Sequence, residues 1–250
     1  MPPGFTLIEL LLAMGLFAVS MAMVAALFPA ALYQAKVADE HTMATVIGEN
    51  AITTIKIRIP YGHTDLPADA VFVPLPISTT GPVHEQDMLY PLDPNIRSQN
   101  TKYGWVGLVR CLGNNANDYV FVVVPYAISR TAPPRDYDLQ ADPNDDCPMP
   151  RYFDDVPVTV SGDGAFVTAD IDPNFIAIGS PVILDTGQYA FIVGRTDDPV
   201  DPQAILSGTL GVATGATTDK NMWVYGGGGR DLDSPAIGCF TFRTSLRVNP

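Results

Sequence analysis

From Leu10 to Leu32 the chain has no ionisable side chain. Charged residues make up only 16% of the whole, and base is the scarcer sign: 14 Lys and Arg against 27 Asp and Glu, a formal net charge of −13. The shortage of base removes the positive footprint that a nucleic-acid backbone requires, so no nucleic-acid partner is expected. Every acid except Glu9 lies beyond the apolar run. That placement suits an exported domain kept soluble by its charge, or one that binds divalent cations.

Cysteine is scarce too. Cys111, Cys147 and Cys239 allow one disulfide in three ways with one thiol left over, and no Cys-x-x-Cys or His/Cys cluster suggests zinc. His63 and His84 stand in proline-rich surroundings with no readable partner, and Gly-x-Ser-x-Gly is missing. Nucleophilic hydrolysis is left without a residue set, and nothing singles out one carboxylate pair among the many acids. The expectation is a protein that is not an enzyme.

What is present begins at the amino terminus, with Gly4-Phe5-Thr6-Leu7-Ile8-Glu9 leading into the apolar run. About 23 residues at ~1.5 Å each reach roughly 34 Å, enough to cross the hydrocarbon core of a bilayer. Ala18, Ala22, Ala26 and Ala30 recur at every fourth position, a small-xxx-small stripe that lets another helix backbone approach closely. A simple anchor has no use for Glu9, because a carboxylate beside hydrocarbon is costly and marks a function. A secretory signal peptide would need a basic start, a shorter apolar centre and an Ala-x-Ala exit. A plain signal anchor accounts for everything except Gly4, Glu9 and the alanine stripe.

At these residues the chain resembles the type IV prepilins and the pseudopilins of type II secretion. The resemblance implies that a membrane aspartyl peptidase, the prepilin peptidase, cuts between Gly4 and Phe5 and methylates the new amino terminus at Phe5. Glu9 then matches the family's fifth-position glutamate and Thr6 its second position, both assembly residues. The leader Met1-Pro2-Pro3-Gly4 has no Lys or Arg, where family leaders are usually basic. Implied partners are the peptidase, other pilin or pseudopilin subunits, an inner-membrane assembly platform and membrane lipid. Implied localisation is a single-pass inner-membrane precursor with its head periplasmic or extracellular, then a filament. The large head favours a minor subunit.

Beyond the membrane stretch the helix should continue. Val37, His41, Ala44, Gly48, Ala51 and Ile55 form an amphipathic stripe with Asp39, Glu40, Glu49 and Asn50 largely off it. Ile59-Pro60-Tyr61-Gly62 ends it, and Pro29 should bend or loosen it midway. His41 reads as a packed or interfacial histidine.

The rest is rich in Pro (23) and Gly (21), the composition of a loop-rich β protein. Strands are expected at Ala70–Val73, Tyr103–Cys111 and Asp118–Ile128, the last two forming a hairpin across residues 112–117. A second group is expected at Val156–Val160, Ala165–Thr168, Phe175–Ile178, Pro181–Leu184, Gln188–Gly194, Met222–Tyr225 and Cys239–Val248. Asp185-Thr186-Gly187 reads as a tight turn. Thr131–Pro157 reads as a long loop of Pro and Asp.

Within that loop Asp142, Asn144 and Asp146 stand at positions 1, 3 and 5 of a calcium-loop pattern, but Cys147 and Phe153 replace its glycine and glutamate. An irregular calcium site stays open beside the bland reading of a solvated acidic loop, and no other cofactor is expected. Gly226–Gly229 and Arg230 read as a flexible loop, not a phosphate cradle.

The expected architecture is α+β: a leader over 1–4, a long helix over 5–59 with its membrane half at 5–33, and a β-rich antiparallel head over 60–250 packed on the helix. Sub-lobes of the head are expected at 60–155 and 156–250. The functional expectation is a filament subunit assembled through its helix. The alternative is a membrane-anchored β domain that binds a ligand or carbohydrate at the cell surface and never polymerises.

Overall fold

The computed structural model describes residues 6–59, 66, 70–75, 88–90, 103–112, 118–127, 150–164, 166–198, 202–225, 234 and 236–245. It divides into two compact units, Met1–Met43 and Ala44–Pro250, with the boundary inside the α-helix α1, Leu7–Arg58. That helix is capped by Thr6 at its start, continues through Pro29 and carries Lys56 and Arg58 in its last turn, where cations complement the macrodipole. Pro29 has no N–H to give the Ala25 carbonyl, the local cost of a proline inside a helix.

In the first unit the apolar side chains have no core to enter. Leu7, Leu11, Phe17, Val24, Phe28 and Leu32 are all more than half exposed. Ser20 turns its hydroxyl back to the Leu16 carbonyl (2.9 Å), which hides the polar group within the helix itself. Lys36 and Glu40 make an i,i+4 pair at 3.9 Å just past the apolar run. The helix is long and apolar enough to cross a membrane.

Among the described residues the second unit holds the rest of α1 and eleven strands. They are β1 (Val73–Pro74), β2 (Leu89–Tyr90), β3 (Tyr103–Cys111), β4 (Asp118–Ala127), β5 (Arg151–Val160), β6 (Val167–Ala169), β7 (Pro181–Leu184), β8 (Tyr189–Arg195), β9 (Ala204–Leu206), β10 (Thr217–Val224) and β11 (Phe240–Ser245). β1, β3, β4 and β11 pair in that order, all antiparallel, with β2 also on β3. β5 to β10 close into a barrel in the order β10-β5-β6-β9-β8-β7. The α+β architecture is therefore a long helix with a β-rich antiparallel head.

Both faces of the open sheet are buried, which is why β3 and β4 read as nearly unbroken apolar runs. On one face Val106, Leu108, Val122, Val124 and Tyr126 pack with Ile183, Trp223 and Tyr225 of the barrel wall. On the other, Phe240 and Phe242 pair in register with Val123 and Phe121 and lie against α1. Ala44, Ile47, Gly48, Ala51 and Ile55 form the buried stripe of the helix. Its spacing corrects the sequence reading at two places: Ile47 belongs to the stripe, and His41 is exposed. Gly48 is the close point, where a Cβ would come within 2.7 Å of the Phe240 ring.

The barrel keeps its own core of Val156, Val158, Val160, Val182, Leu184, Ile192 and Met222, each alternating with an outward residue along its strand. The alternation slips in β8, between Ile192 and Gly194, and again in β5. Asp154 and Asp155 face the single residue Asn221 in a β-bulge, and Asp155 takes φ 51° with its N–H donated to Asn221 Oδ1 at 3.0 Å.

Several expected strands are corrected. Phe175–Ile178 is not a strand: Pro173–Phe175 is a 3-10 turn closed by the Phe175 N–H on the Asp172 carbonyl (2.8 Å), with Ile176 and Ala177 buried behind it. Pro173 sets the turn by fixing φ. The loop expected over Thr131–Pro157 already ends at Pro150, because 151–157 belongs to β5; 131–149 lies outside the described residues. β9 and β2, three and two residues long, were too short to read. The sheet also recruits β11 from the far end of the chain, after the barrel has been completed.

Candidate functional site

The first residues of α1 are built as a reciprocal cap. Thr6 donates its backbone N–H (3.0 Å) and its hydroxyl (2.8 Å) to the same oxygen of Glu9, Oε2, while the Glu9 N–H points back to Thr6 Oγ1 at 3.4 Å. Thr-x-x-Glu is the spacing of a capping box, which satisfies donors that the first turn of any helix leaves open. The same spacing was present in the sequence and needed only this reading. A carboxylate at the positive end of the helix dipole is also favourably placed. Gly4 and Phe5 lie outside the described residues. Ala18, Ala22, Ala26 and Ala30 are exposed along α1.

A second group of polar side chains meets at the seam between sheet and barrel. Arg110, from β3, reaches the tight turn after β7: its Nη1 donates to the Asp185 carbonyl at 2.6 Å, and its guanidinium lies 5.0 Å from the Phe72 ring centroid. Gly187 at φ 89° completes that turn, and a Cβ there would sit 3.0 Å from Arg110 Nη2. The Asp185 carboxylate turns instead to the barrel, where Tyr152 donates its hydroxyl to Oδ2 at 3.2 Å. Tyr152 rests on Trp223 (5.1 Å between centroids), whose indole N–H donates to the Phe72 carbonyl at 3.1 Å. Burial, reinforced by the nearby Asp154 charge, pushes the Asp185 carboxyl above the usual carboxylate range despite its bonds to Tyr152 and Asn221 and the pull of Arg110. Burial likewise raises the Tyr152 phenol and lowers the Arg110 guanidinium. No sequence pattern links these residues, because they come from five separate parts of the chain.

Other expected sites fall differently. Asp142, Asn144, Asp146, Cys147, His63, His84 and Gly226–Arg230 lie outside the described residues. Phe153, the twelfth position of the calcium pattern, is a strand residue packed edge-on against Phe175 at 5.4 Å. Among the described residues no group of three or more His, Cys, Asp or Glu is placed to hold a metal ion. Burial pushes the Cys239 thiol up to about 12, away from thiolate reactivity at neutral pH.

Comparison with curated proteins and with solved structures gives no match. Residues 3–25, which include the capping box and most of the apolar run, match the prokaryotic N-terminal methylation motif. In that amino-terminal segment the chain is similar to the type IV prepilins.

Proposed function

We propose that this protein is a structural subunit of a type IV pilus or of a type II secretion pseudopilus. It is made as a membrane precursor, cut after Gly4 by prepilin peptidase, methylated at Phe5 and assembled through α1. The methylation motif over residues 3–25 carries this reading. Two features of the chain support it. The apolar side chains of the first unit are left exposed, so they need lipid first and neighbouring helices later. Among the described residues Glu9 accepts hydrogen bonds through Oε2, from Thr6, and its carboxylate has a further oxygen to offer an amine. In the assembled core that amine is the Phe5 terminus of the next subunit, and mispairing is disfavoured because an unpaired charge in an apolar core is costly.

The test is the mass of the mature amino terminus. The expected product begins at Phe5 with an added methyl group, and Gly4→Leu leaves the precursor uncut because a small residue must enter the peptidase site. A mature chain that begins at Met1, or beyond Leu32, overturns the proposal and leaves the anchored, non-polymerising domain.

A further inference from the structure

We propose that the seam between sheet and barrel is an acid-tightened joint: a proton taken up at Asp185 strengthens the hold of the barrel on the sheet, and its loss weakens it. The geometry is that of a carboxylate poorly served by its surroundings. Asp185 Oδ1 is buried and has no hydrogen-bond partner among the described residues, and neither has Arg110 Nε. Arg110, the cation that faces the turn among the described residues, gives Nη1 to the Asp185 carbonyl rather than to the carboxylate. The groups that face Asp185 are Arg110 from β3, Tyr152 and Asp154 from β5, and Asn221 from β10. One is a like charge, one a cation whose pull on the carboxylate is outweighed by burial, and two offer hydrogen bonds.

An ionised Asp185 therefore keeps a bare oxygen out of water beside a second carboxylate, and a proton removes that cost. The sign follows from the raised carboxyl. The folded head binds the proton more readily than the unfolded chain does. The stabilisation is then complete below the ordinary aspartate value of about 3.9 and is lost as pH climbs through the raised folded value. Trp223 reports on the joint, because its indole crosses the seam to Phe72 and its ring lies against Tyr152.

The experiment follows Trp223 emission and thermal unfolding of the full chain in detergent between pH 4 and pH 8. Wild type is expected to show an emission change whose midpoint lies above the ordinary aspartate range, and Asp185→Asn to lose it. Asp185→Asn should also melt above wild type at pH 8, with the gap closing toward pH 4. General relief of the acidic surface acts on both proteins alike and cancels in that difference. Asp154→Asn, whose side chain lies on the exposed bulge, should move the wild-type midpoint downward by removing the like charge. A gap that stays constant with pH, or an Asp185→Asn protein that melts lower throughout, overturns the joint. Should Asp185→Asn fail to fold, an unmoved midpoint in Asp154→Asn overturns it as well.

Discussion

Gly48→Leu is expected to unseat the second half of α1 from the sheet and to cost the head about 1–3 kcal/mol, the range for an overpacked core site. The Phe240 ring occupies the place where a side chain would begin: a Cβ on Gly48 would meet Cδ2 at 2.7 Å and Cε2 at 2.8 Å. Gly238 crowds the same edge of the ring, with a Cβ there only 3.1 Å from Cε2 and 3.1 Å from the Ala44 Cβ. Two effects oppose each other. Any residue in place of glycine gains up to about 1 kcal/mol of helix propensity. For Gly48→Ala the Cβ itself meets the ring, so the gain offsets only part of the clash and a loss smaller than leucine's is expected. For leucine three more heavy atoms enter the same slot and the clash wins. Thermal unfolding of the full chain in detergent should show Tm lower by roughly 2–4 °C per kcal/mol for a domain of this size. Phe240→Ala opens the slot, so Gly48→Leu should cost much less in that background. Additive losses in the double variant would mean that the ring and the glycine do not share a contact.

Gly48 also shows where the sequence could be read and where it could not. Its place on the helical stripe follows from periodicity, but its function as the seat of an aromatic ring depends on Phe240, which arrives from the far end of the chain. Local signals served wherever one element settled the matter. The apolar run from Leu10 to Leu32 is one case. β3 at Tyr103–Cys111 is another, where β-branched and aromatic residues fill both faces, and the Asp185-Thr186-Gly187 turn, whose glycine must take positive φ, is a third. They failed at Phe175–Ile178, where an apolar string buried by folding back on a 3-10 turn looks like a buried strand. They failed again at Arg110, Tyr152, Asp185 and Asn221, each an ordinary surface residue until the barrel closes and the sheet packs on it. In the amino-terminal site the recognisable part was a motif with fixed spacing. Thr6 and Glu9 were named through the family resemblance, as its second and fifth positions, and the hydrogen bonds between them follow from the geometry of a helix start.

Glu9→Leu is expected to separate membrane insertion from assembly. Leucine removes the only carboxylate of the apolar segment, so the variant should be at least as well held in the membrane. Cleavage after Gly4 should survive, because the peptidase reads chiefly the glycine and its flank. In the filament, however, the Phe5 amine of a neighbouring subunit would lose its counter-charge in an apolar core. Incorporation should fall by roughly tenfold or more, a modest factor beside the cost of an unpaired buried charge. Immunoblots of sheared filaments against membranes measure the partition. The capping box raises a second explanation for any loss, since leucine also deprives the Thr6 N–H and hydroxyl of their acceptor. Glu9→Gln separates the two. A glutamine carbonyl still accepts from Thr6 and serves in a capping box, but it carries no charge. If charge pairing governs assembly, Glu9→Gln is as scarce in filaments as Glu9→Leu. If Glu9→Gln assembles like wild type, Glu9 acts only as a cap on its own helix, and if both variants partition like wild type it has no part in assembly at all.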